Sequence, residues 1–173
     1  MKFDLQPILE NDIVVLRPLE ETDFDALYAV ASDPLIWAQH PAKERSQREG
    51  FSTFFNEAMH TKSAFVALDK QTNTIIGSTR YFPVLESENA IEIGWTFIAR
   101  AFWGGRHNQA MKKLMLDYAF QYIDHVLFHI HADNLRSQKA VEKIGGVRVT
   151  ELDGQTLSTR APQTVIYKLS KKA

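Results

Sequence analysis

The run Ile91-Glu92-Ile93-Gly94-Trp95, followed by Trp103-Gly104-Gly105-Arg106-His107-Asn108, decides how this chain is read. Alternating apolar residues form a strand, two adjacent glycines form a turn, and Met111, Leu114, Met115, Tyr118, Ala119 and Tyr122 then repeat at helical spacing. The first amides of a helix lack intrahelical acceptors and sit at the positive end of its dipole. A glycine-opened turn at that place suits an anionic diphosphate, and the first expectation is an enzyme acting on a small molecule. The competing reading is a plain strand-to-helix turn, because glycine pairs before helices are common.

Working outward, Ile13 to Leu19 reads as a strand interrupted by proline, and Thr22, Asp23 and Asp25 open a helix that Asp33-Pro34 ends. Ser46 and Glu49 match a capping box for a second helix reaching about Met59. The β-branched and aromatic runs Ala64 to Leu68 and Ile75 to Phe82, separated by polar residues, predict an antiparallel hairpin, and Ala90 to Phe97 follows as a third strand. Val126, Phe128 and Ile130 predict a short strand stopping at Asp133-Asn134. A helix carrying Ala140, Val141 and Ile144 then ends at Gly145-Gly146. Val147 to Leu152 and Thr164 to Leu169 complete the strands. With no repeat, linker or low-complexity tract, residues 1–173 read as one α/β (α+β) domain.

Composition narrows the function. The 173 residues are 45% hydrophobic, enough for a real core. Twenty basic residues balance 21 acidic ones in no long run of one sign, which argues against a nucleic-acid partner. No apolar stretch approaches the roughly 18 residues that cross a bilayer, and the start lacks a long apolar segment, so a cytoplasmic protein without membrane association is expected. Zero cysteines exclude disulfides, thiolate metal sites and a cysteine nucleophile. Any acyl transfer must proceed without a Cys-bound intermediate.

Taken together, the opening strand at Ile13 to Leu19, Glu92-Ile93-Gly94-Trp95 before the turn, and Asn134-x-x-Ser137 running on through Glu142-Lys143-Ile144-Gly145-Gly146 resemble the GNAT superfamily of N-acetyltransferases. The branch most similar is that of the RimJ/RimL-like enzymes that acetylate protein N-termini. The resemblance covers most of the chain. It implies a mixed, largely antiparallel twisted sheet flanked by helices, with acetyl-CoA as cosubstrate, an amine as acceptor and no metal. Trp103 aligns with the first position of the family's pyrophosphate loop, but Arg106 and Asn108 fall where small residues are usual and Gly104 and Gly105 occupy intervening places. A re-aimed loop in which Arg106 pairs with a phosphate accommodates this, since Asn tolerates positive φ and Gly105 absorbs strain. By resemblance, Trp95, Trp103, Gly104, Gly105, Arg106, His107, Asn108, Asn134 and Ser137 would hold the cofactor. Asn134 is equally an ordinary N-cap. Many relatives carry a tyrosine where this chain has Val141, so the departing thiolate must take its proton from water, Ser137 or another group.

Acetyl transfer to an amine needs an unprotonated nucleophile, a polarised carbonyl and a route for the proton. An α-amine with a pKa of about 8 is easier to deprotonate than a lysine near 10.4. Glu92 is the expected general base, acting through one water, with a salt bridge as the competing role. Ser137 is the other catalytic candidate. Amides near Ile93 to Trp95 would polarise the carbonyl. Trp37, His40 and Tyr81 are the expected acceptor contacts; His40 lies in a loop between two helices, and alternation sends Arg80 and Tyr81 to opposite sheet faces. His129 and His131 share a strand face, but with no cysteine or evident carboxylate partner they do not make a metal site. Two other readings stay open, a CoA-binding module without catalysis and an interaction domain that keeps only the fold. The acceptor's identity and the oligomeric state, including a homodimer, stay open as well.

Overall fold

The β-branched and aromatic runs build one twisted sheet, and the computed structural model describes it through residues 3–84, 89–157 and 161–172. The strands are β1 (Leu9–Glu10), β2 (Val14–Pro18), β3 (Ala64–Asp69), β4 (Ile75–Pro83), β5 (Ala90–Ile98), β6 (His125–His131), β7 (Val147–Val149), β8 (Glu151–Leu152), β9 (Gln155–Thr156) and β10 (Thr164–Ser170). The helices are α1 (Phe24–Ala31), α2 (Arg48–Thr61), α3 (Arg106–Ala119) and α4 (Leu135–Lys143). Eight strands lie in the order β1-β2-β3-β4-β5-β6-β10-β7, while β8 and β9 form a separate hairpin. The mixed, largely antiparallel architecture expected from the sequence is the one observed.

One pair breaks the antiparallel rule. β5 and β6 run parallel, and their ladder holds only Ala90↔His125, Ile91↔Val126 and Glu92↔Leu127. Both strands continue, β5 to Ile98 and β6 to His131, but no longer pair with each other, so they part like the arms of a V. A bulge assists this: the β4–β5 register shifts between Ser78 and Arg80, and Trp95 takes a φ of 51°. Bulges increase local twist and re-aim the strand that carries them.

Apolar layers cover both sheet faces. On one, Ile91, Ile93, Tyr81 and Phe128 pack against Met111 and Met115 of α3. On the other, Leu27 of α1 and Phe51, Phe54 and Phe55 of α2 pack against Val66, Leu68 and Phe97. Beyond β5 that second face continues as Ala90, Leu127 and Ile166 under Leu152 and Leu157.

Several boundaries differ from expectation. Ser46 does not cap α2: it closes a short 3-10 turn at Lys43–Ser46, its hydroxyl donates to the Lys43 carbonyl at 2.9 Å, and extended Gln47 precedes the helix instead. The turn captures the hydroxyl that a capping box needs. Val147 to Leu152 is not one strand, because β7 pairs with β10 while β8 turns back on β9. Past the expected end of the first helix, residues Pro34–Trp37 form a 3-10 turn initiated by Asp33, whose Oδ1 accepts from the Leu35 amide at 3.0 Å. Among the described residues no helix is long and apolar enough to cross a membrane.

Candidate active site

The V between β5 and β6 opens into a cavity of about 550 Å³. Its walls are the parted strands, the start of α3, the start of α4 and the segment between α1 and α2. These sources meet only because the β5–β6 ladder stops.

The first wall is the glycine turn. Gly104 takes a φ of +69°, a left-handed conformation suited to glycine, and a Cβ there would meet nothing within 4 Å. Gly105 is the N-cap of α3 and has no side chain to satisfy the first-turn amides. Among the described residues no other side chain accepts from the amides of Gly104 to Asn108, which leaves the helix N-terminus available to an anion. Trp103 braces the turn by donating its indole N–H to the Ile98 carbonyl at 2.9 Å, and the Arg136 guanidinium stacks on its ring at 3.8 Å.

Three residues expected in this turn are placed otherwise. The left-handed conformation is taken by Gly104, and Asn108 is an ordinary helical residue lining the cavity. Arg106 is the first residue of the helix; it is exposed and does not line the cavity. The His107 side chain is aimed elsewhere: Nε2 lies 2.9 Å from Asp69 Oδ1 and the ring stands edge-on to Phe102. Hydrogen bonds from Thr72 and then His107 hold the Asp69 carboxyl down to about 2. His107 therefore ties α3 to β3, and what it offers an anion is its backbone.

The second wall is the start of α4. Asn134 is buried, lines the cavity and caps the helix, its Oδ1 accepting from the Ser137 amide at 3.2 Å. Ser137 and Val141 follow on the cavity side. Lys112, from α3, was not anticipated. It is 8% exposed, its ammonium sits 5.0 Å from the Phe128 ring centre, no carboxylate of the described residues pairs with it, and burial pulls its pKa down to about 8.

The third wall faces them. Trp37 is 3% exposed and its indole donates to the Ala31 carbonyl at 2.8 Å, so only part of its ring reaches the cavity. His40 Nδ1 accepts from the Ala42 amide at 3.0 Å, which leaves the neutral ring's proton on Nε2. Burial first, then the charges of Arg45, His131 and Arg136, pull its pKa down to about 4. Arg136 clips this wall to α4 by donating to the Ile36 carbonyl at 3.2 Å. Tyr81 does not belong here. It is fully buried on the α3 face and its hydroxyl donates to the Met115 carbonyl at 2.6 Å, while Arg80 projects to the opposite face between the Phe54 and Trp95 rings. Alternation separates the pair as expected, but neither side chain lines the cavity.

At the apex of the V, Glu92 is the last residue of β5 paired with β6. Its carboxylate is 3% exposed and Oε2 lies 3.1 Å from Nδ1 of His129. Gly94 makes room for this, since a Cβ there would come within 3.1 Å of Glu92 Oε1. Glu92 does not line the cavity; His129 does. The carboxylate thus stands behind the imidazole, at ion-pair distance from Nδ1 rather than in an aligned hydrogen bond, and the ring's other nitrogen is the one left for the cavity. The pairing was hidden in the sequence because it follows from a parallel register. The signal within reach was His129 and His131 alternating with an apolar row. Among the described residues no cluster of three or more potential ligands is placed to hold a metal.

Comparison with known proteins agrees with this fold. The acetyltransferase (GNAT) domain profile matches residues 14–147. The uncharacterized protein YkkB of Bacillus subtilis is 28% identical over 144 residues, 79% of this chain and 83% of that protein. A GCN5-related N-acetyltransferase from Brucella melitensis superposes with a TM-score of 0.78 at 18% identity, covering 98% of this chain and 80% of that one. The spermidine N-acetyltransferase of Vibrio cholerae, in complex with CoA and spermine, superposes at 0.68 with 18% identity, over 92% and 96% of the two chains.

Proposed function

The chain belongs to the GNAT acetyltransferase family, and we propose that it transfers an acetyl group from acetyl-CoA to a primary amine by direct attack. The observation that carries this reading is the V itself, with an anion-ready helix start at one side and a carboxylate–imidazole pair at its apex. The diphosphate of CoA would lie against the main chain of Gly104 to Asn108, with Trp103 bracing the turn. Asn134 and Trp95, both lining the cavity, would hold the pantetheine arm where it runs beside β5. Bound there, acetyl-CoA supplies an activated thioester carbonyl.

The protein's residues then do three things. His129 Nε2 takes the proton of the amine, directly or through one water, as the nitrogen–carbon bond forms; Glu92 holds the imidazole and stabilises its charged form. This revises the sequence-based expectation of Glu92 as the base itself. Backbone amides at the β5 bulge polarise the carbonyl. As the carbon–sulfur bond breaks, the Ser137 hydroxyl, in the cavity wall near Val141, relays a proton to the sulfur. Trp103 at the head of the turn and the absent tyrosine at Val141 favour the RimJ/RimL-like branch.

Calorimetric titration with acetyl-CoA, followed by amine-dependent release of free thiol, tests the reading. Saturable binding of one equivalent and acceptor-dependent release are expected. Absence of acetyl-CoA binding at millimolar concentration sinks it.

A further inference from the structure

The acceptor side of the cavity has a one-sided charge. No Asp or Glu lines the cavity among the described residues, whereas Arg45, Lys112, Arg136, Lys139 and Lys143 all do. The α3 and α4 lysines share the wall assigned above to an anionic cosubstrate, and Arg136 is engaged with Trp103 and the Ile36 carbonyl. Arg45 needs a different explanation. It arrives from the opposite wall, on the 3-10 turn Lys43–Ser46, with its guanidinium lying on the Phe54 ring at 4.6 Å and beside Trp37 at 5.7 Å. No carboxylate of the described residues comes within ion-pair distance. Glu44 and Glu57 act on it only at longer range, and burial pulls its pKa down.

Its neighbours present donors as well. His40 has its Nδ1 lone pair occupied by the Ala42 amide, so the nitrogen left over is an N–H. His131, at the end of β6, has one acidic neighbour, Asp133 at 3.7 Å, and that carboxylate is 82% exposed. A guanidinium fixed flat on aromatic rings keeps its forked N–H edge for a planar anion, and a carboxylate matches that fork. A polyamine brought to the same place would add positive charge to a surface that already repels it.

We propose that the acceptor is a primary amine that also bears a carboxylate, bound by the guanidinium of Arg45 with the Nε2–H of His40, so that polyamines are poor substrates. This rests on the acetyltransferase reading given above and names its substrate class. It separates the chain from its structural relative that carries spermine.

The experiment uses the full chain and measures acetyl-CoA affinity by calorimetry alongside kcat/KM for glycine, β-alanine, 4-aminobutyrate, aspartyl-alanine, the amidated form of each, and spermidine. The expected result is a carboxylate-bearing amine preferred over its own amide and over spermidine by about 30-fold or more, the scale of losing one partner of a desolvated charge pair. Arg45→Gln should remove that preference through KM with acetyl-CoA affinity unchanged, and Arg45→Lys should restore part of it. Equal or better turnover of spermidine or of the amides overturns the proposal and leaves the acetyltransferase reading standing. So does the lack of acceleration by any carboxylate-bearing amine when acetyl-CoA binds. Failure to bind acetyl-CoA at all removes both.

Discussion

The glycine turn before α3 and the wall between α1 and α2 sit across one cavity, yet they are built on opposite principles. The turn offers backbone: Gly104 and Gly105 carry no side chains, and the helix start supplies donors whose direction is set by secondary structure. The facing wall offers side chains: Trp37, His40 and Arg45 are held by an indole bond, an imidazole bond and ring stacking. Backbone donors suit a group every member of a family shares, and side chains suit the group that varies. On the proposed reading, cofactor recognition would belong to the turn, and acceptor choice to the wall.

The hardest test of that division lies at the apex between them. Replacing His129 with Gln should lower kcat by about 10² to 10⁴, the usual worth of a positioned base, with acetyl-CoA affinity unchanged. Glu92→Gln should cost about 10- to 100-fold, since it acts through the ring. The reverse order would return the base to Glu92. Next in size, Gly105→Asp exploits an extended N-cap whose added Cβ would approach Phe102 only to 3.6 Å. The carboxylate caps α3 and should stabilise the free protein by about 0.5–1 kcal/mol in thermal melts. By occupying the anion position it should weaken acetyl-CoA binding at least tenfold in calorimetry. A variant that gains stability and keeps its affinity would remove the turn from cofactor recognition.

Lys112→Met probes the cost of an ammonium buried without a carboxylate partner among the described residues. Its pKa is pulled from 10.5 to about 8 by burial, so the folded protein holds that proton less tightly than the unfolded chain. The penalty is complete below pH 8, fades as pH rises from 8 to 10.5, and is gone above. The variant should therefore be more stable at pH 7, by on the order of 2 kcal/mol, with the advantage shrinking in melts at higher pH. The smallest effect on function is expected at Tyr81→Phe. Losing the bond to the Met115 carbonyl should cost about 1–2 kcal/mol of stability and leave acceptor KM unchanged. A shift in KM would return Tyr81 to the acceptor wall.

How much was legible depended on the range of the cause. The strand at β5, the helix at α3 and the turn between them follow from local periodicity and glycine placement, and they stand where they were expected. Asn134 was readable as a cap because capping acts over three residues. Ser46 was misread by the same rule, because a 3-10 turn invisible in the pattern took its hydroxyl. Tyr81 and Arg80 were correctly separated by alternation, but alternation assigns no face to the ligand. The Glu92–His129 pair left only the alternation of His129 and His131 with an apolar row as a mark, and the basic wall at Arg45 left none.

By itself the sequence determined the order of strands and helices, the core-facing residues and an anion-ready helix start, because periodicity, capping and glycine conformation act between near neighbours along the chain. Only the tertiary structure decided that β5 and β6 part after Glu92, that His129 stands in front of that carboxylate and that Arg45 faces the cavity without a counterion among the described residues. Those facts come from the register of a parallel ladder and from packing between distant segments, where contact depends on the path of the whole chain.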